Sequence, residues 1–214
     1  MRVVNVLLGG PTDLLPKNLM LNEVDAEWIG VDRGSLRLIE NGIIPSIAIG
    51  DFDSLKADEL EKVRSKVKDI RYFNPVKDYT DSQLGIKIAN ESLHADFINV
   101  YGATGGRLDH FFANFLMFLS DEFKNIAPKV RIIDNQNDIR YFLPGQYTLH
   151  KILDKKYLAF IPLTEMNLTL NDERYTLNNF HVNHPISFSS NEFLGDIGHF
   201  SFDNGMMCVI QSKD

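Results

Sequence analysis

The chain has 214 residues, enough for one large domain or two small ones with real cores. A formal net charge of -7, with 44% hydrophobic and 24% charged residues, excludes a disordered chain and argues against a binder of the DNA backbone. With Cys208 as its one cysteine the chain forms no intrachain disulfide, which suits a reducing compartment, and that thiol is read as a small buried hydrophobe.

The N-terminal MRVVNVLLGG carries one strand's length of apolar residues and ends in glycines, so it is read as a first strand and not as a leader. No stretch approaches the ~20 apolar residues that span a bilayer, and a cytoplasmic protein is expected. Up to Asp134, the runs RVVNVLL, EWIGV, SIAI, DIRYF, DFINVY and VRII alternate with helical patterns, the rhythm of a parallel sheet wrapped by helices. Ser35 to Asn41 reads as a short helix stopped by Gly42 and Pro45, and Leu60, Val63 and Val67 repeat at helical spacing. Thr80-x-x-Gln83 predicts a capping box opening a helix with Leu84 and Ile88 on one face. Phe112, Phe115, Leu116 and Leu119 predict a core-facing stripe, and Trp28 a core position. After Asn135 the texture changes to IRYFL, QYTLH, YLAFI, GHFSF and MMCVI, strands joined by turns at Pro144-Gly145 and Asp203-Asn204-Gly205. The pattern therefore predicts an α/β domain over 1–134 and an all-β domain over 135–214.

In an open parallel sheet, ligands gather outside the carboxyl ends of the strands. Gly9-Gly10-Pro11 follows RVVNVLL, Asp32-Arg33-Gly34 follows EWIGV, and GDFDS, Gly50 to Ser54, follows SIAI. DIRYF leads to KDYTD, Lys77 to Asp81, and DFINVY to GATGGRLDH, Gly102 to His110. Any one of these clusters reads as a solvated turn, but their convergence on one rim does not. In an extended segment Asp51 and Asp53 point to the same side and can face one hard cation, with Phe52 packed the other way. Asp78, Asp81 and Asp109 bring the rim to as many as five carboxylates, whose mutual repulsion calls for a cation. Oxygen ligands without paired cysteines select magnesium or manganese over zinc. The glycines of GATGGR let backbone N–H groups approach phosphate, and Arg33 and Arg107 add planar forks suited to it.

Taken in order, GDFDS, KDYTD, GATGGRLDH, then SSNEFLG and a terminal VIQSKD resemble the thiamine pyrophosphokinase family from about Gly9 to the end. The resemblance implies transfer of a diphosphate unit from ATP to the hydroxyethyl group of thiamine, giving thiamine diphosphate and AMP, with Mg2+ as cofactor. It implies an N-terminal parallel-sheet domain that binds ATP and magnesium and catalyses the transfer, followed by a C-terminal β-sandwich for thiamine binding and dimerisation. Thiamine would lie between the subunits of a homodimer. On the family pattern, Asp51, Asp53, Asp81 and Asp109 are the catalytic and metal carboxylates, with Asp78 close by as a further ligand. ATP falls to Asp32, Arg33, Gly50, Thr104, Gly105, Gly106 and Arg107, and thiamine to Ser190 and Asn191. Asp109 is either a metal ligand or the acceptor of the hydroxyl proton, and also reads as a helix cap. One departure concerns the wall of the thiamine pocket, where Leu168 stands in place of an aromatic residue.

Two other readings compete. A phosphatase or phosphotransferase of the haloacid-dehalogenase type also carries Asp-x-Asp, but after the first strand and with Thr or Val two residues beyond the second Asp. A non-enzymatic nucleotide- or thiamine-binding module has little use for so many carboxylates around a phosphate chain. His181 and His184, three apart in a β-rich loop, read as surface histidines, and His110 as a helix residue or a phosphate contact. The glycosylation triplet Asn167-Leu168-Thr169 means nothing without a secretory signal.

Overall fold

Short runs rich in valine, isoleucine and leucine, most of them ended by glycine or an acidic residue, build the first sheet. The computed structural model describes residues 1–73 and 79–214. Contacts divide the chain into two compact units, Met1–Met117 with Lys129–Asn135, and Phe118–Pro128 with Gln136–Asp214. Among the described residues no helix is long and apolar enough to cross a membrane.

The first unit contains β1 (Val3–Leu7), α1 (Leu19–Asn22), β2 (Glu27–Val31), α2 (Arg33–Glu40), β3 (Ile47–Gly50), α3 (Ala57–Lys66), β4 (Asp69–Tyr72), α4 (Asp81–Glu91), β5 (Phe97–Tyr101), α5 (Leu108–Leu116) and β6 (Val130–Ile133). All six strands run parallel in the order β6-β5-β1-β2-β3-β4. Helices must cover both faces of such a sheet, which is why Val4, Val6, Ile29, Ala48, Ile49, Ile98 and Val100 are buried whichever face they point to. The chain builds outward from β1 to β4, then returns to place β5 and β6 on the other side of β1. Loops leaving β1 and β5 therefore diverge at a topological switch point. The predicted capping box is present: the Thr80 amide donates to Gln83 Oε1 at 2.8 Å, and the Gln83 amide to Thr80 Oγ1 at 3.3 Å. Trp28 is buried, as its sequence context predicts.

The stripe over α5 differs from expectation. Phe115 is buried, but Phe112, Leu116 and Leu119 are 52%, 43% and 39% exposed, with Leu108 at 72%. The buried side of this helix instead carries Asn114, an amide. Periodicity reports that a face is apolar; it does not report whether the same chain covers it.

The second unit contains α6 (Asp121–Lys124), β7 (Asn137–Phe142), β8 (Gly145–His150), β9 (Tyr157–Pro162), β10 (Met166–Leu170), β11 (Leu177–Val182), β12 (Phe188–Asn191), β13 (Ile197–Phe202) and β14 (Met207–Ser212). Its strands form two antiparallel layers, β12-β9-β14-β7 and β11-β10-β13-β8. Leu158, Phe160, Met207 and Val209 from the first layer pack against Leu149, Leu168, Leu170, Val182, Phe200 and Phe202 from the second. Phe200 is the hub, 5.2 Å from Phe142, 5.3 Å from Phe160 and 5.2 Å from Tyr147 between ring centroids.

Both turns that read as hairpins join strands of different layers. β7 pairs with β14 and β8 with β13, so Pro144-Gly145 and Asp203-Asn204-Gly205 carry the chain from one layer to the other. The side chains of the second turn explain its shape: Asp203 accepts from the Asn167 amide at 2.8 Å and from Asn167 Nδ2 at 2.7 Å, and Asn204 Nδ2 donates to the Glu165 carbonyl at 3.1 Å. These bonds tie the turn to the start of β10. Leu168, which stands where the family carries an aromatic residue, is fully buried between the layers. Strands β11 and β12 leave little alternation in the sequence because they lie at sheet edges with most residues exposed.

Candidate active site

The site in the first unit is assembled by backbone geometry that ordinary strands and helices do not use. At the end of β2 the chain turns directly into α2 through Asp32, at φ 46 and ψ -120. This is costly for a residue with a Cβ and is held by bonds on both sides. The Asp32 amide donates to the Ile49 carbonyl at 2.8 Å, its carbonyl accepts from the Ser35 amide at 3.0 Å, and its Oδ1 accepts from the Phe52 amide at 3.2 Å. Gly50, at φ 145, gives the carboxylate its room, because a Cβ there would overlap Asp32 Oδ1.

The GDFDS segment is a turn, not an extended stretch. Phe52 has φ 58, and the Asp53 amide donates back to Asp51 Oδ1 at 3.0 Å. The alternation that would aim Asp51 and Asp53 together does not apply, although Phe52 does pack away from them into a core with Leu36, Ala48, Val63 and Val67. Among the described residues, carboxylate oxygens of Asp32, Asp51 and Asp81 lie within 4.8 Å of one another. Asp81 comes from the first turn of α4, where the helix dipole favours an acid. Asp53 is exposed beside this group and is not part of it. Asp78 lies outside the described residues.

Burial first, then the Asp81 charge and smaller effects of Asp51 and Asp53, push the Asp32 carboxyl up to about 7 against the opposing Phe52 amide. Three carboxylates converging through oxygen alone, one of them held reluctantly as an anion, match the donor set of a hard divalent cation such as Mg2+.

Next to this group, the loops after β1 and β5 touch through a Gly10 amide to Gly102 carbonyl bond at 3.0 Å. The β5 loop runs through Gly105 and Gly106 at φ 73 and 64, a pair of left-handed positions. Its start is pinned from two sides. Thr104 is buried and its hydroxyl donates to Asp134 Oδ2 at 2.7 Å, while the Ala103 carbonyl accepts from Asn114 Nδ2 at 3.1 Å. The Thr104 hydroxyl is thus engaged with Asp134, which follows β6. Arg107 is the residue before α5, and its Nε donates to Asp109 Oδ1 at 3.1 Å. Hydrogen bonding from Arg107 holds the Asp109 carboxyl below its ordinary range. Asp109 sits in the first turn of α5, is exposed, and stands outside the three-carboxylate group.

Two arginines of α2 brace the loops after β3 and β1. Arg33 donates to the Ser54 carbonyl and lies 3.5 Å from Glu59, and Arg37 Nη1 donates to the Gly10 carbonyl. Burial and the Arg33 charge lower the Arg37 pKa. Arg37, Asn114 and Asp134 escape a reading by motifs, but Asp134 follows the same strand-end rule as the others. Asn114 carries a weaker signal, a lone amide between phenylalanines of an apolar helix.

Within the second unit, the side chains of Leu170, Tyr175, Leu177, Phe188 and Asn191 line a cleft of about 190 Å³ together with Thr176 and Ser189. Asn191 is buried and saturated: its Oδ1 accepts from the Tyr175 and Glu192 amides and its Nδ2 donates to the Tyr175 carbonyl, each at 2.9 Å. Ser190 is exposed on the left-handed residue before it, at φ 60. His181 and His184 are exposed, with side-chain partners Asn167 and Asn183.

Comparison with known proteins covers both units of the chain. The family model described as "Thiamin pyrophosphokinase, catalytic domain" matches residues 20–130, and "Thiamin pyrophosphokinase, vitamin B1 binding domain" matches residues 146–207. Thiamine pyrophosphokinase of Bacillus subtilis strain 168 is 38% identical over 217 residues, covering 100% of both chains. A crystal structure of a protein from Lactobacillus plantarum is 49% identical with a TM-score of 0.92, each chain covered in full. A thiamin pyrophosphokinase family protein from Enterococcus faecalis is 38% identical over 100% of both chains, also with a TM-score of 0.92. Full-length identity, both domain models and the two-part fold place the chain in the thiamin pyrophosphokinase family.

Proposed function

We propose that this enzyme transfers a diphosphate group from ATP to the hydroxyethyl oxygen of thiamine, releasing AMP and thiamine diphosphate. The observation that carries the reading is the approach of Asp32, Asp51 and Asp81 beside the doubly left-handed glycine loop after β5. In this reading Asp32 joins the metal carboxylates, beyond its expected part in ATP binding, and Asp53 supports them from the rim. Bound there, Mg2+ would neutralise charge on the phosphate chain.

The chain's own residues supply position. Backbone N–H groups of Gly105 and Gly106 face an anion without interference from a Cβ, and Arg107 offers a fork for phosphate oxygens. Asp109 keeps that fork oriented. Its lowered pKa suits a permanently ionised partner better than an acceptor of the hydroxyl proton, since a general base works best near the operating pH. The thiamine oxygen attacks the β-phosphorus, a P–O bond forms, and the bond from that phosphorus to the oxygen shared with the α-phosphate breaks. AMP leaves with that oxygen, and the hydroxyl proton passes to solvent or a rim carboxylate.

Thiamine is assigned to the second unit, with Ser190 exposed for contact and Asn191 shaping the cleft through Tyr175. Aromatic Tyr175 and Phe188 suit a cationic thiazolium ring. The reading includes a homodimer, supported by the uncovered Leu108, Phe112 and Leu116. It includes a cytoplasmic location, in keeping with the one buried free cysteine. The Asp-x-Asp pair follows β3, and the chain belongs to a kinase family, so the phosphatase and binding-module alternatives fall away.

Incubation with ATP, Mg2+ and thiamine, followed by chromatography, tests the proposal. AMP with thiamine diphosphate is expected, and both vanish with excess EDTA. ADP with thiamine monophosphate would overturn the diphosphate transfer.

A further inference from the structure

Asn114 is 8% exposed and both ends of its amide are used. Nδ2 donates to the Ala103 carbonyl at 3.1 Å, and Oδ1 accepts from Ser82 Oγ at 2.7 Å. A carbonyl only accepts, so the amide nitrogen must face Ala103 and the oxygen Ser82. Ser82 Oγ lies 3.1 Å from the Oγ1 of Thr80, the capping residue of α4. Between Thr80 and Ser82 stands Asp81, a member of the three-carboxylate group. Directly after Ala103 the backbone enters Thr104 to Arg107. One side chain on α5 thus joins the turn that presents a carboxylate to the loop that faces phosphate, two segments far apart in sequence.

We propose that Asn114 is a positioning residue for the reaction, fixing the distance between the Asp81 carboxylate and the glycine loop. The inference rests on the functional reading above. An alanine here leaves the α4 turn and the loop each intact but no longer held to one another. An aspartate keeps the acceptor for Ser82 and sets an oxygen against the Ala103 carbonyl, so it separates the two halves of the link. Ser82 acts on the loop only through Asn114, and removing both should cost no more than removing Asn114 alone.

The experiment measures kcat, thiamine KM and the Mg2+ concentration for half-maximal rate in Asn114→Ala, Asn114→Asp, Ser82→Ala and the Ser82→Ala/Asn114→Ala pair, below each variant's unfolding temperature. Misplacement of reacting groups by a fraction of an ångström predicts a kcat loss of about 30-fold for Asn114→Ala and about 5-fold for Ser82→Ala. The Mg2+ requirement should rise about 5-fold or more in Asn114→Ala while thiamine KM stays within about 2-fold, a split that lost packing alone does not produce. Asn114→Asp should match Asn114→Ala, and the pair should match it too. Multiplying losses in the pair, or a kcat within about 2-fold of the parent in Asn114→Ala, overturns the inference. If Asn114→Ala does not fold, Ser82→Ala carries the test, and an unchanged kcat and Mg2+ requirement overturns it. A parent enzyme that makes no AMP sinks the functional reading instead; the link is then read by calorimetry with the Mg2+ complex of α,β-methylene-ATP. Affinity about 10-fold weaker in Asn114→Ala supports the link, and unchanged affinity overturns it.

Discussion

The carboxylate group of the first unit and the Asn191 corner of the second satisfy polar atoms in opposite ways. Around Asp32 the backbone is forced into φ 46, glycine is required at position 50, and three acids crowd together. Around Asn191 each amide atom is bonded to backbone, and the neighbouring interior is filled by interlocked aromatic rings. On the proposed reading the first arrangement keeps electrostatic interaction in reserve for a cation and a phosphate chain; the second spends its bonds on holding a shape. Substitution should therefore separate them, with the first unit losing activity before stability and the second losing stability first.

The largest effect is expected from Asp51→Asn and Asp81→Asn, each lowering kcat by about 10³-fold with little change in unfolding temperature, as for loss of a preorganised electrostatic contact. A steady-state assay beside a thermal melt checks both halves, and a large fall in melting temperature would erase the contrast. Phe200→Ala should do the reverse. Deleting a ring that touches Phe142, Tyr147 and Phe160 costs about 3–5 kcal/mol in urea unfolding.

Asn191→Ala sharpens the comparison by removing a polar group that acts through shape. Leaving the Tyr175 amide and carbonyl without their side-chain partner should cost about 1–3 kcal/mol and raise thiamine KM more than it lowers kcat. A pure kcat effect would make Asn191 part of the chemistry.

The smallest effect distinguishes a strained site from a stabilising one. Burial and neighbouring carboxylates push the Asp32 carboxyl from an ordinary 3.8 up to about 7. A raised value means that the proton is bound more tightly when folded, so this group favours folding at low pH, and that contribution is lost as pH rises from about 4 through about 7. Metal-free Asp32→Asn should melt a few degrees above its parent at pH 8 and within a degree or so of it at pH 4. Equal melting temperatures at both pH values would show that the acid is not held at a cost.

The strands of the first unit were legible because a parallel strand buried on both faces must be a short apolar run, and the residues after each such run sit by topology on the rim where open parallel sheets generally take their ligands. Asp32, Asp51 and Asp81 were found on that rule. Their partition was not legible: Phe52 at φ 58 breaks the i, i+2 alternation, so Asp32 joins the group and Asp53 does not. In the second unit, local turn chemistry at Pro144-Gly145 and Asp203-Asn204-Gly205 reads like a hairpin whichever layer receives the next strand. Long-range bonds from Asp203 to Asn167 decide the route.

By itself the amino-acid order determined the alternation of strand and helix, the capping box at Thr80, the rim on which the acids lie and the change to an all-β texture after Asn135. These are short-range properties, set by side-chain period, turn residues and caps. Tertiary structure alone decided which acids meet, that Thr104 faces Asp134, that Asn114 joins α4 to the glycine loop, and that Leu168 lies in the core. Each of these depends on contacts between residues distant in the chain, whose geometry no local pattern encodes.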